Sequence, residues 1–427
     1  MNPQLEELLN LAQSRGASHS EVYGVSSRSS PVFFEGNRLK QLENSQSMGT
    51  ALRLWYRDCP GVAVAYGKID PQVLVEKAIA ISQLNLPEKI DLTPPRTEVH
   101  RDNSNTVAVE KLIAAGEDAI SRIRDFYPET ICSAEFDCES ETTILANSQG
   151  LYCEYTDTSL SYYLGVELIK GEDFLGIYDG EDSKNVLNCD RAIADIEQRL
   201  IWAENNTDTP TGKLPVIFTA NAATLLWDTV VSALNGKRVK ENSSPWSDRA
   251  EQIVASPLLT ISQQPQQEPY SCPFDDEGTP TKTLNLISAG RLDNFYCDRK
   301  IASGLNLSYT GNGFRPDLGS YPTPALVNLI IEPGERSLTQ LIAQIDNGII
   351  VDRVLGGGAD ISGDFSINVE LGYRISKGRV VGRIKDTAIA GNVYQIINQI
   401  VTIGNDSLWD GSCNTPSLIV EGVSIVS

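Results

Sequence analysis

Only two histidines occur in the chain, His19 and His100, and neither belongs to a spaced cluster. Histidine is the commonest metal ligand and the commonest general base, so this chain has little of either to offer. His19 follows a helical segment and His100 lies in a connector; both are expected at the surface. The eight cysteines, Cys59, Cys132, Cys138, Cys153, Cys189, Cys272, Cys297 and Cys413, form no C-x-x-C pair and are scattered, unlike the disulfide framework of a small secreted domain. A thiolate nucleophile needs a base beside it. No histidine lies in the C-terminal half, so Cys413, in "WDGSCNTPS", reads as inert.

Carboxylates are the remaining candidates. "PFDDEGTP" sets Asp275, Asp276 and Glu277 in a row. Such a run can bind a metal or perform acid–base work. It is equally a turn whose Asp side chains bond nearby main-chain amides. "YTGNGFRP" (309–316) and "GGGADISGDFS" (356–366) are glycine-rich. Their glycines let the backbone approach a ligand or another chain. Neither has the Gly-Lys-Ser/Thr of a P-loop or the strand-to-helix context of a dinucleotide fingerprint.

The elements that must position these residues are legible from periodicity. Residues 3–15 read as a helix, as do 71–84, opened by Pro71, and 106–128, with Val109, Leu112, Ile113, Ile120 and Ile123 on one stripe. A further helix is expected at about 188–204. Residues 21–67 alternate as a strand meander, and 131–169 form two extended runs around Asn147-Ser148-Gln149-Gly150. The polar segment 204–213 is the expected domain boundary. Beyond it come a short buried strand, "LPVIFT", and the helix "LLWDTVVSALNG". Hairpins follow, turning at Ala289-Gly290 and Lys377-Gly378, and "SLTQLIAQIDNGIIV" and "NVYQIINQIVTIG" read as helical interruptions. The expected fold class is α+β: an α/β N-terminal domain (1–205) and a β-rich C-terminal domain with several helices (212–427).

The 427 residues suffice for two sizeable cores, and 41% hydrophobic with 21% charged residues is ordinary for a globular chain. The net charge of −21 repels phosphate backbones, which argues against nucleic-acid contact. No eighteen-residue apolar run exists, and the start lacks a basic n-region and an apolar h-region. A cytoplasmic location without membrane contact is expected.

An ordered series of motifs carries a family resemblance: "FDDEGTPT" (274–281), "YTGNGFRP" (309–316), "GGGADISGDFS" (356–366), "IAGN" (389–392) and "IGND" (403–406). Together they resemble the TldD/PmbA family, also known as the modulator-of-DNA-gyrase family or peptidase U62 group. "GASHSEVYGVSSRSS" with "GTALRLWYRD" is similar to the family's N-terminal domain, so the likeness covers nearly the whole chain. The resemblance implies two branches. TldD-like chains carry an H-E-x-x-x-H helix and a late cysteine before Gly-Lys, a zinc site for peptide hydrolysis. In this sequence Trp227 stands at the first histidine, Asp228 at the glutamate and Ser232 at the second histidine. Indole nitrogen has no free lone pair for zinc and a serine hydroxyl is a poor ligand. The Cys-Gly-Lys pattern is absent at Cys413.

The resemblance therefore points to the PmbA/TldE branch. It implies a subunit without catalytic residues or cofactor of its own, paired with a TldD-like partner that holds zinc, the pair admitting extended peptides. The peptide channel would draw on Asp275, Asp276, Glu277, Gly311, Asn312, Gly313, Gly363 and Asp364. Two alternatives stand beside this reading. One is a hydrolase in its own right using the acidic loop 275–277, with Cys413 and a metal. The other is a homodimer that binds peptides or a partner without hydrolysis.

Overall fold

The computed structural model describes residues 3–102, 106–184 and 186–427, and its elements form an α+β mixture. The spine of the first, nine-stranded sheet is a long antiparallel hairpin, Ile131–Asn147 with Leu151–Lys170. Its turn is held by Asn147, whose side-chain oxygen accepts from the N–H groups of Gln149 and Leu151, and Gly150 supplies the positive φ. His19–Ser29 and Val32–Glu35 lie end to end along one edge of the hairpin, with Ser45–Tyr56, Cys59–Tyr66 and Arg38–Leu42 outside them. The other edge carries Asp173–Ser183 antiparallel and Arg96–Arg101 parallel. Helices Pro3–Ser14 and Pro71–Ser82 cover one end of this sheet, Val109–Phe126 covers the hairpin, and Asp190–Trp202 covers the adjoining strand Asp173–Ser183. The second helix starts where the sequence marks it: the Asp70 carboxylate accepts from the N–H groups of Gln72 and Val73, with Pro71 in the first turn.

In the C-terminal half, Gly212–Phe218, Asn347–Leu355, Asp364–Ser376, Ala388–Asn392 and Leu418–Val426 pair in that order. The last strand returns to the first, closing a ring. Closure leaves these strands without exposed edges. A separate six-stranded sheet ends with Leu329–Ile331, Cys413–Thr415 and, outermost, Leu408–Asp410. The helix Ala220–Leu234 packs on Asn347–Leu355 and on the last two strands of that sheet. Both two-residue hairpins form as read, with Ala289-Gly290 and Lys377-Gly378 at positive φ.

Two expectations need correction. Within 337–351 only Leu338–Ile342 is helical, and Asn347–Leu355 is a strand of the ring. Within 392–404 the helix is Val393–Ile396 alone, and Ile400–Ile403 is a strand. Ile349, Ile350 and Val351 are all fully buried. A strand buried on both faces loses its alternation and reads like an apolar helix segment.

The core does not divide at 204–213. One apolar cluster joins Phe136, Leu164 and Ile193 to Ile217, Ile350, Tyr373 and Ile419. The connector is pinned to the ring, Thr207 donating to the Arg383 carbonyl and Arg383 to the Asn205 carbonyl. Among the described residues no helix is long and apolar enough to cross a membrane.

Candidate functional site

The helix Ala220–Leu234 is a regular α-helix, and its periodicity separates the three residues of interest. Residues one apart diverge by about 100° and residues five apart by about 140°. Trp227 accordingly points into the core at 1% exposure, Asp228 is exposed, and Ser232 is half-buried. The Trp227 indole N–H donates to the Thr415 hydroxyl at 2.7 Å. Thr415 belongs to the strand Cys413–Thr415, so the late segment of the chain does meet this helix.

Three acidic or thiol groups gather beside Trp227. Burial, with Asp410 behind it, pushes the Asp228 carboxyl above its usual range. Burial also pushes the Cys413 thiol up to about 12, with Asp410 and Asp228 adding to the effect. These influences identify Asp228, Asp410 and Cys413 as neighbours. A protonated thiol facing carboxylates, with no cation to favour thiolate, is a poor nucleophile and a poor metal ligand. Among the described residues no group of three or more His, Cys, Asp or Glu side chains could hold a metal ion. Zinc does not fit here: where a ligand nitrogen would offer a lone pair, the indole presents a hydrogen already given to Thr415.

His100 is exposed, as expected, and hydrogen-bonded to Glu98 at 2.6 Å, but it lies in the strand Arg96–Arg101 rather than in a connector. His19 is half-buried at the start of a strand, with Nδ1 buried and unpartnered, rather than free at the surface. All eight cysteines are free thiols.

The acidic loop is built differently. Asp275 is 1% exposed. One of its oxygens accepts from the N–H groups of Glu277 and Thr279, at 3.0 and 2.8 Å, and the other accepts from Gly313 at 2.8 Å. Asp276 accepts from the Arg315 N–H at 2.7 Å, and Glu277 from the Arg299 N–H at 2.9 Å. Burial raises all three carboxyls: Asp275 well above the usual range, with Glu277 adding to it, Asp276 to about 6 and Glu277 to about 7.

The loop's backbone is held from the N-terminal half. The Thr93 hydroxyl donates to the Glu277 carbonyl at 2.6 Å and Arg96 to the Gly278 carbonyl at 3.0 Å. Beside it the buried Glu21 carboxylate pairs with Arg53 and Arg315, both at 3.0 Å, and Asp91 pairs with Arg299 at 2.5 Å. Of the loop's two readings, this is the Asp turn, used as a latch between the halves of the molecule.

Of the two glycine-rich segments, 309–316 closes on the same latch and 356–366 does not. Gly311 has a φ of +76°, and a Cβ there would lie 2.5 Å from the Pro280 carbonyl oxygen. At Gly313 a Cβ would meet a Glu277 carboxylate oxygen at 2.3 Å. The close approach that these glycines permit is thus to the acidic loop. Asn312 is buried, donating to Gln263 at 2.6 Å and to the Ala325 carbonyl at 2.8 Å. Gly363 lies against the Tyr394 ring, and the exposed Asp364 accepts from Asn392 at 2.9 Å.

The structure therefore brings Asp275, Asp276, Glu277, Gly311, Asn312 and Gly313 together, and Trp227, Asp228, Asp410 and Cys413 separately. No hydrogen bond or ion pair among the described residues joins the two groups. Cys413 pairs across to Leu329 and Leu329 to Gln263. Two strand spacings, about 10 Å, separate Cys413 from the residue that holds Asn312.

Sequence reasoning missed a cleft beside the second group. It has a volume of about 520 Å³ and opens between the edge strand Asp173–Ser183 and the edge strand Leu408–Asp410. Its walls include Tyr163, Tyr178, Asp182, Trp409 and Asp410. No local signal could have found it, because its residues come from many segments that are distant in the chain.

A family model described as the PmbA/TldA metallopeptidase C-terminal domain matches residues 211–427, and one described as PmbA/TldA metallopeptidase domain 1 matches residues 20–82. The chain is 31% identical over 207 residues to a metalloprotease TldD homolog from Buchnera aphidicola, covering 48% of this chain and 43% of that protein. It is 24% identical over 301 residues to a metalloprotease PmbA homolog from Haemophilus influenzae, covering 68% and 64%. The aligned stretches thus span less than two thirds of these relatives' lengths. The solved structure of TldE from Thermococcus kodakarensis has the same fold, with a TM-score of 0.90, 23% identity and 99% of each chain covered.

Proposed function

The chain belongs to the PmbA/TldD metallopeptidase family, and we propose that within it this protein is a metal-free subunit that helps to hold extended peptides for a zinc-bearing, TldD-like partner. The observation that carries this reading is the Trp227 indole N–H donating to Thr415 at 2.7 Å. A buried donor satisfied by the chain itself leaves no lone pair for a metal at that position. Asp228 points outward without an imidazole beside it, so water activation has neither cation nor paired base. The cleft beside this helix supports the peptide-holding part of the reading. Leu408–Asp410 ends its sheet, and its outer backbone edge carries no hydrogen bond among the described residues. An extended peptide can pair with such an edge.

The test is preparative. The chain purified alone should contain no stoichiometric transition metal and cleave no peptide, and chelator-sensitive cleavage should appear on mixing with a TldD-like chain. Chelator-sensitive cleavage by the isolated chain, or a homodimer that ignores the TldD-like chain, would overturn the reading.

A further inference from the structure

The cleft between Asp173–Ser183 and Leu408–Asp410 carries a charge pattern that names its occupant more closely. Six carboxylates line it. Three are already neutralised: Arg199 pairs with Asp179 at 2.6 Å and with Asp352 at 2.9 Å, and Arg191 with Asp179 at 3.0 Å and Glu181 at 3.2 Å. The other three, Glu135, Asp182 and Asp410, have no basic partner among the described residues, and Asp228 adds negative charge next to Asp410. Among the described residues the one cation on the wall, Arg353, is committed to Glu370 at 3.2 Å.

Aromatic faces complete the lining. Tyr163 stacks on Tyr178 with ring centroids 5.6 Å apart, and Trp409 meets Tyr270 edge-on at 5.5 Å. The Arg353 guanidinium lies 4.4 Å from the centre of the Tyr178 ring. The wall thus already receives a guanidinium on an aromatic face, the arrangement that favours cations over neutral groups. A concave site lined by one sign of charge concentrates ligands of the other. An acidic peptide or a free carboxylate would meet uncompensated repulsion.

We propose that this cleft selects extended peptides by a lysine or arginine side chain, whose head lies among Glu135, Asp182 and Asp410 and whose stem packs on Tyr178 and Trp409. The proposal rests on the peptide-holding reading above and adds a specificity to it: the subunit without metal would choose which residue of the peptide is presented beside the partner's zinc.

The experiment uses the full chain alone and a set of blocked, fluorescently labelled heptapeptides that differ only at the central residue: arginine, lysine, norleucine or glutamate. Binding is read by fluorescence anisotropy at low and high salt. Arginine and lysine peptides should bind about tenfold more tightly than the norleucine peptide. Salt should narrow that gap. D410N and D182N should each weaken the arginine peptide about threefold and leave the norleucine peptide unchanged. Asp410 is exposed, so an unchanged melting temperature serves as the check that D410N folds.

Equal binding of norleucine and arginine peptides would overturn the charge preference while leaving peptide holding intact. No effect of D410N and D182N on the arginine peptide would overturn the site. Failure of every peptide to bind would overturn both this proposal and peptide holding. Metal-dependent cleavage by the chain alone would overturn only the metal-free reading, because the binding ratios would still report the selectivity.

Discussion

The latch at Asp275–Glu277 and the slot around Trp227 both concentrate carboxyl groups, and they use them in opposite ways. In the latch Asp275 and Glu277 are buried and Asp276 half-buried, and main-chain N–H groups at 2.7 to 3.0 Å occupy oxygens of each. In the slot and its cleft the acids come from remote segments, and Asp228, Asp410 and Glu135 are exposed and have no basic partner among the described residues. A run of acids in sequence looks like a reactive centre, but adjacency in a tight turn lets the backbone consume it. Of the acids that separate strands bring to the cleft, Asp179, Glu181 and Asp352 are met by arginines, and Glu135, Asp182 and Asp410 have no basic partner among the described residues.

Substitutions can break this contrast, and the largest effect belongs to the latch. R315A removes a guanidinium that is 3% exposed and leaves Glu21 with half of its compensation. Breaking a buried pair by removing one partner costs about 3–5 kcal/mol. Denaturant unfolding should show that loss, and a change below 1 kcal/mol would mean that the network does not hold the halves together. W227A comes next. Truncating a buried tryptophan costs about 3–5 kcal/mol, slightly less here if the cleft lets the site relax. W227H, by contrast, should not create a stoichiometric zinc site, because Ser232 and Asp228 still lack the second imidazole; metal analysis of that variant checks this.

The third effect is a pH dependence to which the latch contributes. Burial makes the carboxyls of Asp276 (about 6) and Glu277 (about 7) harder to ionise in the fold than in the unfolded chain. The folded state therefore binds more protons from about pH 4 to about pH 7, and this contribution to stability is lost as pH rises through that window. D276N and E277Q should flatten the fall in melting temperature between acidic and neutral pH. A slope unchanged in both variants would place the titrating groups elsewhere.

T415V is the sharper probe of the slot. It removes the acceptor for the Trp227 N–H and leaves a buried donor unsatisfied, at about 1–3 kcal/mol. The smallest effect is expected for D228N, an exposed position where changes stay within about 0.5 kcal/mol. Relief of repulsion with Asp410 sets its sign as slightly stabilising. A large destabilisation by D228N would show that the slot is a structural element like the latch.

Much of this was legible in the residues themselves. Pro71 announced a helix start, Ala289-Gly290 and Lys377-Gly378 announced hairpins, and the motif order announced the family. The replacement of both imidazoles on "LLWDTVVSALNG" was visible at once, because it concerns residue types rather than positions. The strands Asn347–Leu355 and Ile400–Ile403 were misread, since two buried faces erase the period-two signal.

The sequence by itself determined which chemistry is missing, because no fold can give an indole a free lone pair or supply histidines that are not encoded. Only the tertiary structure decided what the remaining acids do. Whether a carboxylate is consumed by amides or left facing a cleft depends on which distant strands meet it, and the ring closure and edge strands that set those meetings are properties of the whole chain.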